Sequence, residues 1–158
     1  MVLAVSLGLR CNFASILAAR VITTASASNH PYVRSLGADQ VIDYNVEDFT
    51  AIGPVCDVVF DTVGGGVRAG CYVVLKPGGK LVWIAAAPEG LNPNRGDVDT
   101  LRPNVIRDRT HLERMLALLD ARAVRPPQIT RYQLKDAAEA HLLSEARHLR
   151  GKLVLEVR

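Results

Sequence analysis

Short apolar runs alternate with amphipathic stretches along most of this chain. Residues 2–5 (VLAV) read as a first strand, and residues 20–24 (RVITT) as a β-branched second one. Residues 40–43 (QVID) and 57–60 (DVVF) follow as a third and a fourth. The DVVF run is continuously apolar, as a strand covered on both faces should be. Residues 80–85 (KLVWIA) give a fifth. Between these lie helical patterns. Asn12 opens a short one ending near residue 19. Ser28 or Asn29 caps the next, with Pro31 in its first turn and Gly37 as its stop. A third spans residues 67–75 and ends at Pro77-Gly78-Gly79. Strands and helices in this alternation predict parallel β-α units.

The order changes after residue 86. Pro88, Gly90, Pro93 and Gly96 mark a loop. Residues 98–106 make a sixth strand that Pro103 confines to an edge or a bulge. Residues 110–120 form a helix with Leu112, Met115, Leu116 and Leu119 on one face. Beyond Pro126-Pro127, an extended run (128–134), a helix (135–147) and an alternating strand (152–157, KLVLEV) close the chain. The predicted fold is α/β. A Rossmann-like doubly wound parallel sheet occupies residues 1–127, with its first β-α unit degenerate, and a strand-helix-strand tail occupies residues 128–158.

Composition narrows the classes. With 158 residues, 49% hydrophobic and 22% charged, the chain is large enough for one sizeable core. A net charge of +3 and dispersed basic residues argue against nucleic acid. Arg102, Arg107, Arg109 and Arg114 are interleaved with acids and read as a solvated face. No apolar run reaches the ~18–20 residues that cross a bilayer. The first twenty residues lack the basic opening of a signal peptide, so a cytoplasmic chain with no membrane partner is expected. Cys11, Cys56 and Cys71 are odd in number and widely spaced, which suits reduced core thiols and no zinc set. His30, His111, His141 and His148 are scattered and complete neither a metal site nor a nucleophilic triad.

The candidate chemistry lies where strands end, since ligands of an open α/β sheet bind outside the carboxyl ends. Those ends hold residues 24–29, Asp43-Tyr44, residues 61–66 and residues 85–87. Gly64, Gly65 and Gly66 let backbone approach a ligand closely. After the second strand, Thr24-Ala25-Ser26-Ala27-Ser28-Asn29 carries hydroxyls and an amide where an NAD site places a carboxylate. That composition suits a 2′-phosphate, which accepts from such donors and would be repelled by an anion. Arg34 adds a charge if its helix faces the site. The same residues also read as ordinary helix capping.

Five strings in order, LGADQVIDY (36–44), DVVFDTVGG (57–65), LKPGGKLV (75–82), DAAEAH (136–141) and RGKLVLEV (150–157), resemble the carboxyl half of the medium-chain dehydrogenase/reductase family. The similarity is to its zinc-independent, quinone oxidoreductase-like (zeta-crystallin-like) branch, and runs from about residue 20 to 158. The resemblance implies an NADP-dependent oxidoreductase that passes a hydride to a conjugated carbonyl, with a quinone or enone as small-molecule substrate. It implies NADP(H) in preference to NAD(H). It places Ser26, Ser28 and Asn29 near the 2′-phosphate and Tyr44 at the adenosine end. Asp61, Val63, Gly64 and Gly65 would line the cofactor, and Ile84 and Ala85 would lie toward the nicotinamide. No catalytic residue follows from it.

Two departures from the family pattern shape the expectation. Where the family has Gly-Ala-x-Gly-Gly-Val-Gly, whose bare backbone receives the pyrophosphate, this chain has Ser6-Leu7-Gly8-Leu9-Arg10-Cys11-Asn12. Arg102-Pro103-Asn104 interrupts the strand that relatives use as a dimer seam. The family's amino-terminal catalytic domain is absent from these 158 residues. The alternative is therefore a truncated domain with weak or no cofactor binding, acting as an interaction module. A homo-oligomer formed through Leu153, Leu155 and Val157, or a separate catalytic-domain partner, is the expected association.

Overall fold

The computed structural model describes residues 1–5, 19–85, 95–104, 106, 108–124, 126–146 and 149–157. It divides into two compact units, Met1–Val124 and Arg125–Arg158.

In the first unit six strands form one parallel sheet: β1 (Val2–Val5), β2 (Val21–Thr24), β3 (Gln40–Ile42), β4 (Cys56–Asp61), β5 (Leu75–Trp83) and β6 (Asp99–Leu101). Their order is β3-β2-β1-β4-β5-β6. This is the doubly wound Rossmann order, in which the chain reverses direction of travel between β1 and β4. Helix α1 (His30–Ser35) joins β2 to β3, and α2 (Val67–Val73) joins β4 to β5.

The two helices cover opposite faces. Along β2, Val21 packs with Ala25, Val33, Leu36 and Ala38, whereas Ile22 packs with Leu3, Val59, Cys71, Tyr72 and Leu81. Neighbouring strand residues point to opposite faces, so α1 lies on one side and α2 on the other. Every residue of β2 is buried, which explains its unbroken apolar and β-branched run. Leu3, Ile22, Leu75 and Leu81 are fully buried, each contributing about 1.5–3 kcal/mol relative to exposure.

Several boundaries differ from expectation. Neither Ser28 nor Asn29 caps α1 with its side chain. A short 3-10 turn (Ala27–Asn29) runs straight into the helix, so the turn's own backbone supplies the bonds. Gly37, at φ 98, does end α1, its N–H donating to Arg34 O at 3.0 Å. Helix α2 stops at Val73, and Pro77-Gly78-Gly79 falls inside β5 rather than before it. The pairing of β4 with β5 is irregular between Cys56 and Val58, and Gly78 takes φ 75. Such an irregularity is where proline and glycine are tolerated in a strand. The predicted sixth strand shrinks to β6, which pairs only with β5 and so forms an edge.

Helix α3 (Arg109–Asp120) is started by Asp108, whose carboxylate accepts from His111 N–H at 2.9 Å. Its apolar face forms, yet Leu112, Met115 and Leu116 remain exposed. The predicted helix near Asn12 lies outside the described residues.

The second unit pairs β7 (Ile129–Gln133) with β8 (Lys152–Glu156) in parallel, connected through a 3-10 turn (Leu134–Asp136) and helix α4 (Ala137–Glu145). Glu156 accepts from Arg131 and Gln133 across the pair, both at 2.9 Å. Leu153 and Leu155 are half-buried, while Val154 and Val157 are exposed. The expected exposed trio is thus reduced to Val157: Leu153 and Leu155 share one face of β8, and α4 contacts both strands of the pair.

Candidate functional site

The carboxyl ends of β2, β3 and β4 meet around one cleft of about 860 Å³. Thr24 closes β2 at its edge. Tyr44, Asn45, Val46, Glu47, Asp48 and Phe49 come from the segment after β3, Thr62 and Val63 from the turn after β4, and Val67 from the start of α2. Tyr44 is 53% exposed and Val63 57% exposed, so both present surface to the cleft rather than to the core. A cleft with apolar walls and a few polar groups suits a flat heteroaromatic base.

Beside it, the turn after β2 is built by polar contacts. Asn29 is buried, and its Nδ2 donates to Ser26 Oγ at 3.1 Å. Ser26 Oγ lies 3.3 Å from Ser28 Oγ. His30 donates from Nε2 to the Ala25 carbonyl at 3.1 Å. The turn is tied to the cleft by Asp43, whose Oδ2 accepts from Ala27 N–H at 3.1 Å. Asp43 Oδ1 accepts from the backbone and side chain of Asn45 at 3.0 and 2.9 Å. The Asn45 N–H holds the Asp43 carboxyl below the usual carboxylate range, against the effect of burial; the Asn45 side chain, the Ala27 N–H and the nearby charge of His30 act in the same direction. Asp43 therefore stays ionised with both oxygens engaged.

The third part lies at the ends of β4 and β5. Asp61 is fully buried, and Oδ1 accepts from Val63 N–H at 2.9 Å and Gly64 N–H at 2.8 Å. Its Oδ2 accepts from Arg68 Nε at 3.0 Å. Arg68 Nη2 donates to the Ala85 carbonyl at 2.9 Å, and the guanidinium stacks on Trp83, 4.2 Å from the ring centroid. Arg102 lies 5.0 Å from the same ring. Gly64 and Gly65 take φ 71 and 59, a region costly for other residues. A Cβ at Gly65 or Gly66 would meet nothing within 4 Å, so the turn presents bare backbone to open space.

The structure thus brings Tyr44 and Val63 into one cleft, with Ser26, Ser28 and Asn29 in the adjoining turn. Gly64, Gly65, Ile84 and Ala85 stand at the neighbouring strand ends. Asp61 turns inward and organises that region rather than facing outward. Thr62 falls within the strand end 61–66 read from the sequence; Val46 and Phe49 do not, and their signal is two apolar residues in an otherwise polar loop. Arg68 was also missed. Arg34, in the last turn of α1, is exposed. Residues 6–12, where the pyrophosphate turn was expected, lie outside the described residues, as do Ala86 and His148. Among the described residues, no three His, Cys, Asp or Glu side chains are grouped to hold a metal, and no helix is long and apolar enough to cross a membrane.

The donor set fits a nucleotide. Hydroxyls at the β2 end suit a phosphate, the apolar cleft suits a base, and the glycine backbone suits close approach.

Comparison with known proteins agrees with this architecture. Residues 36–155 match the family described as zinc-binding dehydrogenase. The NADPH-dependent alkenal/one oxidoreductase of Arabidopsis thaliana, a chloroplastic protein, is 31% identical over 145 residues, covering 87% of this chain and 34% of that one. The quinone oxidoreductase of Coxiella burnetii superposes with a TM-score of 0.80 at 31% identity, covering 99% of this chain and 53% of that one. A mycobacterial protein solved in complex with NADPH gives 0.80 at 25% identity, with 99% and 56% covered. The chain thus spans about a third of that curated relative and about half of the solved chains. A matching family model, the Rossmann strand order and a glycine turn at the switch point lead to one conclusion: the chain belongs to the medium-chain dehydrogenase/reductase family, among its quinone oxidoreductase-like members, and corresponds to their carboxyl half.

Proposed function

We propose that this chain is the nucleotide-binding portion of an NADP(H)-dependent oxidoreductase that reduces the conjugated carbonyl of a quinone or enone. The observation that carries the cofactor choice is the turn after β2. It offers the hydroxyls of Ser26 and Ser28 next to the Asn29 amide, and its backbone is anchored by Asp43. An NAD site would instead place a carboxylate here to accept from the ribose 2′-hydroxyl. Asp43, whose carboxylate reaches the turn, has both oxygens occupied and His30 beside it.

In this reading Ser26, Ser28 and Asn29 hold the 2′-phosphate, and Tyr44 with Val63 encloses the adenine. Gly64 and Gly65 admit the cofactor backbone, and Ile84 and Ala85 border the nicotinamide end. NADPH, when bound, supplies the hydride. The chain's own residues orient it, and orientation is the main protein contribution to such a transfer. The reaction is of the zinc-independent kind. Substrate selection falls to protein outside these 158 residues, supplied either within a longer chain or by a separate partner in the cytoplasm. That division follows from the half-length match to relatives.

The test is a titration of NADPH and NADH followed through Trp83, the chain's only tryptophan. Saturable quenching with energy transfer to the reduced cofactor, tighter for NADPH, is the expected result. Absence of binding at millimolar cofactor, confirmed by calorimetry, overturns the proposal. It would leave the reading of a fold that serves as an interaction module.

A further inference from the structure

We infer that Arg68 is a positioning residue of the cofactor groove: without touching the ligand, it sets the gap between the ends of β4 and β5. This inference rests on the nucleotide-binding reading above. Arg68 is 3% exposed, so its guanidinium is not available to a ligand. It reaches instead in two directions at once. Through Nε it holds Asp61, whose other oxygen gathers the N–H groups of Val63 and Gly64. Through Nη2 it holds the carbonyl of Ala85. One side chain from the first turn of α2 therefore links two backbone segments that border the proposed groove, with the Trp83 ring as the surface it lies on.

Packing of α2 alone does not account for this arrangement. Two apolar side chains of similar volume would pack α2 on the sheet at least as well as a buried ion pair, which must overcome the desolvation of both charges. Apolar side chains would not, however, fix a turn and a strand end relative to each other. The planar guanidinium does so because its donors leave in set directions.

The geometry assigns Arg68 to the nicotinamide half of the groove. Its partners Asp61, Trp83 and Ala85 stand at the ends of β4 and β5, whereas the 26–29 turn and Tyr44 follow β2 and β3. The two halves are thus separable with two probes. NADPH spans both, whereas adenosine 2′,5′-bisphosphate takes the β2–β3 ends and meets the β4 turn at Val63 and its neighbours in the cleft, short of Ala85.

Calorimetry on the full chain would compare wild type, Arg68→Lys and Arg68→Met with both ligands. NADPH should bind about tenfold more weakly to Arg68→Met, as expected for loss of roughly one charged hydrogen bond's worth of positioning. Arg68→Lys should recover part of the loss, since it keeps the charge but not the fork. Adenosine 2′,5′-bisphosphate should bind all three within about twofold. Equal NADPH affinity in wild type and Arg68→Met overturns the inference, and so does parallel weakening of both ligands, which would mark a general structural role. If Arg68→Met fails to fold by near-ultraviolet circular dichroism, Arg68→Lys carries the comparison. NADPH weakened about threefold with the bisphosphate unchanged supports the inference, and no difference overturns it. A wild-type chain that binds neither ligand removes the nucleotide reading and this inference with it. A wild type that binds both, beside variants that bind equally well, removes the Arg68 assignment alone.

Discussion

Gly151 approaches Gln128 so closely that a Cβ built on it would stand 2.0 Å from the Gln128 carbonyl oxygen. The same oxygen accepts from Lys152 N–H at 2.8 Å, the bond that brings β8 alongside β7. Gly151 also takes φ 94. Neither obstacle yields easily, because the clash is with backbone and the conformation is unfavourable for an L side chain. Gly151→Ala should therefore loosen the second unit by about 2–3 kcal/mol. Hydrogen exchange checks this: protection at residues 152–156 should fall while β4 keeps its own. Unchanged protection in β8 would show that the contact is not needed.

The Asp61–Arg68 pair predicts non-additive mutational costs. Arg68→Met leaves a buried carboxylate with only two N–H donors, and Asp61→Leu leaves a buried guanidinium with only a carbonyl and a ring. Each single change should cost about 3–5 kcal/mol. The double variant loses both charges together and should be more stable than the sum of the singles by more than about 1 kcal/mol. It should still fall below wild type, because the Val63 and Gly64 N–H groups lose their acceptor. Urea unfolding of the four proteins measures the coupling. Simple additivity would mean that the two charges act independently.

Elements set by local pattern are legible in the sequence, whereas those set by long-range contacts are not. The run VITT announces β2 because residues buried on both faces have no polar alternation to hide them; DVVF announces β4 by its apolar run, although Val58 and Phe60 are only half-buried beside the buried Val59. The hydroxyl-rich stretch after β2 is readable because the turn follows directly from its strand. The contacts within that turn are not. Asn29 was expected to cap a helix, yet it is buried and bonds Ser26. The Pro77-Gly78-Gly79 break was misplaced for a related reason: its tolerance inside β5 depends on a pairing irregularity opposite Cys56 and Val58, which only the partner strand reveals. Arg68 escaped notice because nothing local marks it. Its partners lie 7 and 17 residues away and converge only when strand, turn and helix are folded.

Cys56 and Cys71 should be inert in the folded protein. Burial pushes the Cys56 thiol up to about 11 and the Cys71 thiol up to about 12, with the neighbouring Asp61 charge adding to the latter. The thiolate is the reactive form, so at pH 8 almost none is present at either position. Iodoacetamide followed by peptide mapping should leave both unmodified in native conditions and label both after unfolding. Rapid native labelling at either site, mapped separately from Cys11, would contradict this packing.

Asp57 offers a test of surface electrostatics with a definite sign. Lys76 Nζ donates to its Oδ1 at 2.7 Å, and the amino group of Met1 is its second partner. These contacts, that of Lys76 first, hold the Asp57 carboxyl down at about 2. A folded-state value below the unfolded one, near 3.9, means that the pair's contribution is fully present above about pH 4 and is lost as pH falls toward 2. Asp57 and Lys76 are each about half exposed, so water and salt screen the pair and its share of stability is small. The titration itself is the sharper readout. Carbon-detected NMR should place the Asp57 midpoint near 2, and Lys76→Met should raise it toward the ordinary carboxylate range. High salt should raise it in the same direction in wild type and less in the variant, because only wild type has the Lys76 interaction to screen. A wild-type midpoint near 4 would show that the Lys76 contact is not held in solution.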